Sequence, residues 1–410
     1  MEKVSEKSLE QPRSWNTHAL LTRMALDEDH ESMLRSQVQV TAIEEFFTRA
    51  QDDIARSAKL FRDLVSEKTG CKSIETKLSS HPSATQILET LRLNPTYMFS
   101  YVRILRPEEV SPLTLHDPGR NGPPGGMYVP TAQGTDISVI DILSTYADEP
   151  DWGMDQNLFP IDEYGFGKAP FGMERGKSSQ APFHMAFLHE HVMVGRIVPD
   201  LKKSFMSERI TFYFALARIA FSHGIHYWGW RFTAWAMHYL QDLTQPYHAK
   251  AWPVVIRPLI APGFLLSKVA NRTLNLGLYL KNHHLLFEAV IHFMLNKIVK
   301  EDPPHPFRSA LLDENHLAFG NLALLMAGCS DFAANHAGMI DSLLVRLILG
   351  SSWKDPEYFF VQDRDFHVET LLPEVSIARP HLLDQFVELV SKCLAVTGQV
   401  TRDAVRSASH

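Results

Sequence analysis

The chain has 410 residues, of which 45% are hydrophobic, so it can bury a large core in one big domain or two ordinary ones. Its net charge of -7 gives no overall basic footprint of the kind that accompanies nucleic-acid binding, which disfavours nucleic acid as a partner. The three cysteines, Cys71, Cys329 and Cys393, are too few for a disulfide framework and form no Cys-x-x-Cys pair. Any bound metal is therefore expected to use nitrogen and oxygen ligands.

Two stretches bear on export and on membranes. Residues 1–11 mix Glu, Lys and Ser without an apolar run, so no standard secretory signal peptide is visible. The most apolar region, residues 252–280, is interrupted by prolines and cations, whereas a membrane-spanning helix needs about 20 predominantly apolar residues. We therefore expect a soluble protein without a transmembrane segment. The interrupting residues are Pro253, Arg257, Pro258, Pro262, Lys268 and Arg272.

Apolar residues at steps of three and four predict helices near both ends of the chain. One such stripe predicts a single long helix and consists of Ile43, Phe46, Phe47, Ala50, Ile54, Ala58, Phe61 and Val65. The same spacing over residues 382–394 follows Pro380, which suits the first position of a helix. Alternating strand patterns are scarce. The sequence therefore predicts an all-α fold, with residues 1–410 in a single multi-helix domain.

Two regions rich in breaker residues interrupt the helical pattern. Residues 106–135 contain a Gly-Pro-Pro-Gly-Gly run at 122–126, and a second loop-rich stretch covers residues 148–180. Both also carry aromatic or aliphatic residues among the breakers. We therefore expect long ordered loops within one helical domain rather than linkers between domains.

The strongest chemical signal lies in residues 236–248, which read Ala-Met-His-Tyr-Leu-Gln-Asp-Leu-Thr-Gln-Pro-Tyr-His. His238 and Asp242 are four residues apart, so they share one face of a helix. Pro246 is expected to end that helix just before His248 and to turn the His248 imidazole back toward the same pocket. Two imidazoles and a carboxylate then converge.

A second pair, His284 and Glu288, is also spaced by four residues, on an otherwise apolar segment. Both polar groups should point inward, where leaving them unpaired would be costly. Imidazole and carboxylate are ordinary ligands of Zn2+, and a shared metal ion would satisfy both. The alternative is a set of core histidines that are hydrogen-bonded to carboxylates or carbonyls.

The order of these residues resembles the zinc-dependent phospholipase C family, whose relatives include the fungal single-strand-specific nucleases. The family pattern is an N-terminal His, an Asp, a His, H-x3-D-x5-H and finally H-x3-[ED], and the chain has each of these in order. The H-x3-D-x5-H spacing matches without a gap and ends in a Gln-Pro-aromatic-His segment. The resemblance covers residues 15–290, whereas residues 291–410 are expected to add further helices.

The resemblance implies a further ligand near the N-terminus. Residues 16–25 are similar to the family's first helix, which makes His18 the equivalent of the early metal-ligating histidine. Family members often use the amino group and carbonyl of an N-terminal Trp on the same zinc ion. Trp15 is internal in this chain and is expected to be a buried aromatic residue.

The resemblance also implies an acidic ligand and a histidine between these segments. The family's Asp lies in a Tyr-Ala-x-Asp-aromatic context, and Asp148 keeps the preceding alanine whereas Asp151 keeps the following aromatic residue. We favour Asp151 and expect the other acid to cap the loop or to support a ligand. The next ligand should be a His before a helix, which suits His184 better than His189 or His191.

The family roles imply two to three zinc ions per chain. One would be held by an acid of the Asp148/Asp151 pair with His184, His238 and Asp242, a second by His248, His284 and Glu288, and a third by His18 with Asp242 as the bridge. The acid from the loop, for which we favour Asp151, would orient or deprotonate the attacking water. His223, His226 and His283 fill no place in the pattern and are expected to be packed or hydrogen-bonded, whereas Trp228, Trp230 and Trp235 are expected to pack in the core.

The resemblance implies a secreted or exported phosphodiesterase that hydrolyses phospholipid head groups at a membrane surface. The apolar, cation-edged residues 252–280 suit contact with a lipid interface, although they could equally pack as core. A single-strand nuclease or nucleotidase with the same zinc cluster is the first alternative, but it would need aromatic platforms and a basic groove. A non-catalytic helical binding protein is the second.

Overall fold

The computed structural model describes residues 17–26, 32–106, 109, 128–159, 161–167, 180–190, 203–251, 269–301, 303–314, 321–348 and 368–409. Over these residues it contains fourteen α-helices and two small two-stranded sheets. The predicted all-α fold class is confirmed.

The helices follow one another along the chain with few strands between them. The first seven are α1 Thr17–Ala25, α2 Ile43–Arg49, α3 Gln51–Thr69, α4 Ala84–Leu91, α5 Val139–Tyr146, α6 Ala181–His184 and α7 Met206–Ser222. The remaining seven are α8 His226–Leu243, α9 Pro246–Ala249, α10 Val269–Glu301, α11 Pro306–Leu311, α12 Leu322–Ile348, α13 Val368–Ala378 and α14 Pro380–Ser409.

The two sheets are antiparallel ribbons that border α5. The strands are β1 Gln37–Gln39, β2 Val102–Ile104, β3 Tyr128–Pro130 and β4 Asp136–Ser138. β1 pairs with β4, and β2 pairs with β3. Ser138 ends β4 and caps α5, because its hydroxyl accepts a hydrogen bond from the backbone N–H of Asp141. The Thr145 hydroxyl in turn accepts a hydrogen bond from the backbone N–H of Ile104 in β2, so the ribbons hold both ends of α5.

The predicted helix over residues 43–65 is wrong in one respect, because it is divided at Ala50. The backbone of Ala50 has φ -116° and ψ 23°, outside the helical region, and separates α2 from α3. Asp52 and Asp53 occupy the first turn of α3, where carboxylates favour a helix start. The apolar stripe continues across the break and is buried in the core. Near the C-terminus, the predicted helix does begin at Pro380.

Most buried apolar residues in the described part of the chain belong to two clusters, and helix α8 lies in the first of them. α2 to α5, α7 and α8 form the first cluster, and α1, α10, α11 and α13 form the second, while α12 and α14 contribute to both. Residues 227–243 of α8 are all buried, and Trp228, Trp230 and Trp235 pack in the core as expected. Candidate ligands on α1, α8 and α10 therefore lie where the two clusters meet.

Candidate metal centre

The end of α8 differs from the sequence prediction. The helix ends at Leu243, before Pro246, and Pro246 instead opens the short helix α9. The Gln245 side-chain oxygen caps α9 by accepting hydrogen bonds from the backbone N–H groups of Tyr247 and His248, at 2.5 and 3.0 Å. Pro suits this first helical position because the missing N–H would be unpaired there. The turn brings the His248 imidazole back to Asp242, as the prediction required.

Asp242 is the centre of the arrangement and is only 1% exposed. Its Oδ2 lies 3.0 Å from His184 Nδ1 and 3.2 Å from His238 Nε2. Its Oδ1 lies 2.8 Å from His248 Nδ1 and 3.5 Å from His18 Nε2. Burial alone would raise the pKa of Asp242, but the imidazoles of His248 and His238 outweigh it and hold the pKa well below the usual range.

A first group of candidate ligands consists of Asp151, His184 and His238. His238 Nε2 lies 2.9 Å from His184 Nδ1, and Asp151 Oδ1 lies 3.5 Å from His184 Nδ1. His238 Nδ1 lies 2.6 Å from the carbonyl oxygen of Ala147. Because a carbonyl only accepts, His238 carries its proton on Nδ1 and presents an unprotonated Nε2 to the group.

A second group consists of His248, His284 and Glu288. The two Nε2 atoms of His248 and His284 are 2.8 Å apart, and Glu288 Oε1 lies 2.7 Å from His284 Nε2. Gln245 donates a hydrogen bond to the same Glu288 oxygen at 3.3 Å. The predicted pair on α10 and the predicted histidine on α9 therefore face one another.

A third group consists of His18, His238 and Asp242. His18 on α1 also lies 3.9 Å from Asp151 Oδ2, measured from Nε2. Trp15, whose place in the family pattern bears on this group, lies outside the described residues.

The three groups fit a metal ion by both spacing and donor type. Four ligands placed about 2.0–2.1 Å from a zinc ion in a tetrahedron are about 3.3 Å apart. Within the groups, the candidate ligand atoms of His284 and Glu288 lie 2.7 Å apart and those of His238 and Asp151 lie 3.9 Å apart, and these two distances bracket that separation. All donors in the three groups are imidazole nitrogens or carboxylate oxygens.

The two acids of the loop after α5 have different surroundings. Asp148 is 1% exposed and accepts hydrogen bonds from the backbone N–H of Ala19 at 3.0 Å and from the Tyr128 hydroxyl at 2.5 Å. Burial raises the pKa of Asp148 well above its ordinary value. Asp151 has a side chain that is 31% exposed and faces the histidines of the first and third groups. Asp148 therefore anchors α1, and Asp151 points into the cluster.

Sequence reasoning missed two buried acids that hold this loop. Glu149 accepts hydrogen bonds from Arg231 Nε at 2.8 Å and from Trp235 Nε1 at 2.6 Å. Asp155 accepts hydrogen bonds from Arg209 at 2.7 Å and from the Tyr239 hydroxyl at 2.5 Å, and it lies 3.4 Å from His184 Nε2. For Glu149 the available signal was Arg231, the one arginine of a helix rich in aromatic residues, because a buried guanidinium requires an acidic partner.

Another buried acid supports the second group from α12. Asp341 Oδ1 accepts a hydrogen bond from the Tyr247 hydroxyl at 2.7 Å and lies 2.6 Å from His283 Nδ1. Tyr247 precedes His248, and His283 precedes His284. Asp341 therefore ties together the two segments that carry these ligands.

The histidines without a place in the pattern lie in other surroundings. His223 Nε2 lies 2.8 Å from Asp53, and the His226 ring packs against Phe221. His189 lies near Asp331, at 3.5 Å, and His191 lies outside the described residues. The sequence offered His184, His189 and His191 for the histidine ligand that follows the loop acid. Among the described residues, it is His184 that contacts Asp242.

Comparison of the chain with protein-family models, with curated proteins and with solved structures gives no match. Within the described residues, none of the helices combines the length and the apolar character needed to cross a membrane.

Proposed function

We propose that the protein is a zinc-dependent phosphodiesterase that hydrolyses phospholipid head groups, in the manner of a phospholipase C. The observation that carries the proposal is the Asp242 carboxylate, one oxygen of which faces His184 and His238 while the other faces His248 and His18. Four imidazoles around one buried carboxylate, with Asp151 and Glu288 beside them, are typical of a multinuclear metal site.

The candidate ligands divide among the ions as follows. Asp151, His184, His238 and Asp242 would hold one zinc ion, His248, His284 and Glu288 a second, and His18 with Asp242 a third. When bound, zinc neutralises phosphate oxygens, lowers the pKa of a bound water toward about 7 and stabilises charge on the leaving alkoxide.

The protein's own acid for the reaction is Asp151. Its carboxylate is partly exposed, whereas Asp148 and Asp242 are buried, so Asp151 can meet a water molecule that arrives from solvent. In the hydrolysis, the water oxygen forms a bond to phosphorus, the bond from phosphorus to the alcohol oxygen breaks, and Asp151 accepts the water proton. Glu149 and Asp155 hold the loop on both sides of Asp151 through Arg231 and Arg209.

The assignment of a lipid as the substrate rests on the sequence alone. Residues 252–268 of the proposed lipid-contacting segment lie outside the described residues, and of residues 269–280 only the helical backbone is described. Their apolar content with flanking cations suits a lipid surface, and the net charge of -7 disfavours a polyanionic substrate.

A substrate panel with metal analysis tests the proposal. Purified protein is loaded with zinc, its metal content is measured, and it is offered phosphatidylcholine vesicles, single-stranded DNA and a small soluble phosphodiester, with Asp242→Ala as the inactive control. Hydrolysis of the lipid and the soluble ester supports the proposal. Preferential cleavage of DNA would favour the nuclease alternative, and less than one metal ion per chain would favour a non-catalytic helical protein.

A further inference from the structure

The C-terminal helix α14 lies outside the region that resembles the phospholipase C family, yet its side chains reach the candidate metal centre. Gln241 on α8 is 2% exposed and its Oε1 lies 2.9 Å from His18 Nδ1. The same side chain donates two hydrogen bonds through Nε2, to the hydroxyls of Thr22 and Thr401, each at 2.9 Å. Thr401 on α14 is fully buried. A continuous path of hydrogen bonds therefore joins α14 to His18.

The direction of each hydrogen bond in this path follows from the donors available. The Thr401 hydroxyl has one proton and donates it to the carbonyl oxygen of Thr397 at 2.7 Å. It can therefore only accept from Gln241, which places the Gln241 NH2 group toward Thr401 and its Oε1 toward His18. Because an amide oxygen only accepts, the proton of neutral His18 lies on Nδ1.

The tautomer decides which His18 atom can bind a metal ion. With the proton on Nδ1, the Nε2 lone pair is available, and Nε2 is the atom that lies 3.5 Å from Asp242 Oδ1 and 3.9 Å from Asp151 Oδ2. The opposite tautomer would place a proton between His18 and these carboxylates and would leave Nδ1 facing the Gln241 side chain. A hydrogen bond to the far nitrogen is the usual way in which proteins orient a metal-ligating imidazole.

We propose that Thr401 and Gln241 are positioning residues that fix the tautomer and orientation of His18, so that α14 is part of the metal centre. The proposal rests on the proposed function in one respect, namely that His18 binds a metal ion. The tautomer itself is a property of the metal-free protein.

The test compares two threonines on one helix. Thr401→Val removes the acceptor for Gln241, whereas Thr397→Val is a matched control, because Thr397 is also buried but its hydroxyl contacts Thr244 at 2.6 Å instead of Gln241. Thr401→Ser keeps the hydroxyl and should restore the wild-type behaviour. Circular dichroism and thermal unfolding establish that each variant is folded.

Two measurements are made on each protein. Nitrogen-15 NMR of histidine-labelled, metal-free protein at pH 8, with the His18 signals assigned by their loss in His18→Gln, reports the tautomer. We expect the Nδ1–H form in wild type, Thr397→Val and Thr401→Ser, and a mixed or reversed population in Thr401→Val. Zinc titration should show that the site lost in His18→Gln is lowered in affinity by about 10- to 100-fold in Thr401→Val, with the other sites unchanged.

The outcomes separate this inference from the proposed function. An Nε2–H tautomer in wild type, or the same tautomer and zinc affinities in Thr401→Val and Thr397→Val, would overturn the positioning role. If Thr401→Val does not fold, the wild-type tautomer and the shift caused by Gln241→Leu decide in its place. A wild-type protein that binds no zinc would contradict the proposed function. The NMR measurement would still decide whether the hydrogen bonds from Thr401 through Gln241 set the His18 tautomer.

Discussion

His248 Nδ1 lies 2.8 Å from Asp242 Oδ1, although the two residues belong to different helices separated by a turn. The other nitrogen of the same imidazole, Nε2, faces Nε2 of His284 at 2.8 Å. Asp242 also contacts His184 and His238 through its second oxygen. One carboxylate thus joins the first and second ligand groups, and its loss should affect both.

The first prediction is that Asp242→Ala and His248→Ala each lower the proposed phosphodiesterase activity by more than about 100-fold, because each variant removes a candidate ligand and a contact between groups. His223→Ala and His226→Ala should change activity only slightly, since those side chains contact Asp53 and Phe221. The measurement is the initial rate on a soluble phosphodiester, with zinc content determined on the same samples. Equal losses in all four variants would contradict the assignment of the ligands.

The second prediction concerns metal content and stability. Purified protein should contain two to three zinc ions per chain, because the described ligands form three groups. Chelation should abolish activity and lower the melting temperature, since metal that binds only the folded state stabilises it. Elemental analysis and calorimetry with and without chelator provide the check. Re-addition of zinc should restore both properties, and a failure of stability to respond to chelator would argue against bound metal.

The third prediction separates the two acids of the loop. Asp151→Asn should lower activity strongly while the fold is retained, because Asp151 is partly exposed and is the proposed proton acceptor. Asp148→Asn should be tolerated, because burial raises the pKa of Asp148 and asparagine resembles a neutral carboxyl group in shape. The pair is its own matched control. If Asp148→Asn is the inactive variant, the two acids have been assigned the wrong way round.

The spacing of residues within one element was predictable from the sequence, and the contacts between elements were less so. His238 with Asp242, and His284 with Glu288, share a helix face because of the four-residue repeat, and the structure has both pairs in contact. His18 and Asp151 were assigned through the resemblance alone. Their approach to Asp242 depends on how α1 and the loop after α5 pack on α8.

The buried acids that hold the candidate ligand segments in place could not be identified from the sequence. Glu149 pairs with Arg231, and Asp341 with His283, across long separations in the chain. Arg231 indicates only that an acid lies nearby, and no local pattern identifies which acid it is, because the choice of partner is made by tertiary packing. The break at Ala50 was missed for a related reason, since the apolar stripe keeps its period through the break and the sequence has neither Gly nor Pro there.

The fourth prediction is that zinc binding at neutral pH releases about two protons per chain. Burial would lower the pKa of His184, but Asp155 and Asp242 outweigh it and raise the pKa to about 10. Burial would likewise lower the pKa of His248, but Asp242 and Glu288 outweigh this effect and raise the pKa to about 9. Both imidazoles are thus charged in the metal-free protein at pH 7 and must lose a proton to bind metal. Titration calorimetry in buffers of different ionisation enthalpy measures the release.

The same pKa shifts of His184 and His248 determine how the free energy of unfolding of the metal-free protein depends on pH. Both folded-state pKa values lie above the unfolded value of about 6.5. The stabilisation of the folded state by the two protonated imidazoles is therefore fully present below that pH. It is lost as the pH rises through about 9 for His248 and about 10 for His184. Zinc affinity should rise over the same interval. Proton release near zero, or an affinity that does not change between neutral pH and pH 9, would contradict the prediction.

The last prediction tests whether residues 252–280 contact lipid. Phe264 and Leu265 lie among the apolar residues of this segment, between cations that could meet lipid phosphates. Replacing both with Asp should cut hydrolysis of phosphatidylcholine vesicles strongly, because charge is costly at an apolar interface. Hydrolysis of a short soluble phosphodiester should remain nearly intact, since neither residue is a candidate ligand.

A matched control is available on α3, where Leu60 and Leu64 are 65% and 42% exposed. Leu60→Asp with Leu64→Asp likewise replaces two apolar side chains by carboxylates, on a helix that carries none of the candidate ligands, so activity on both substrates should stay at the wild-type level. If the change at Phe264 and Leu265 instead lowers both activities together with zinc content, the segment packs as core and the lipid-contact proposal is wrong. If it lowers neither activity, residues 252–280 do not contact the lipid substrate, and cleavage of single-stranded nucleic acid becomes the reaction to measure next.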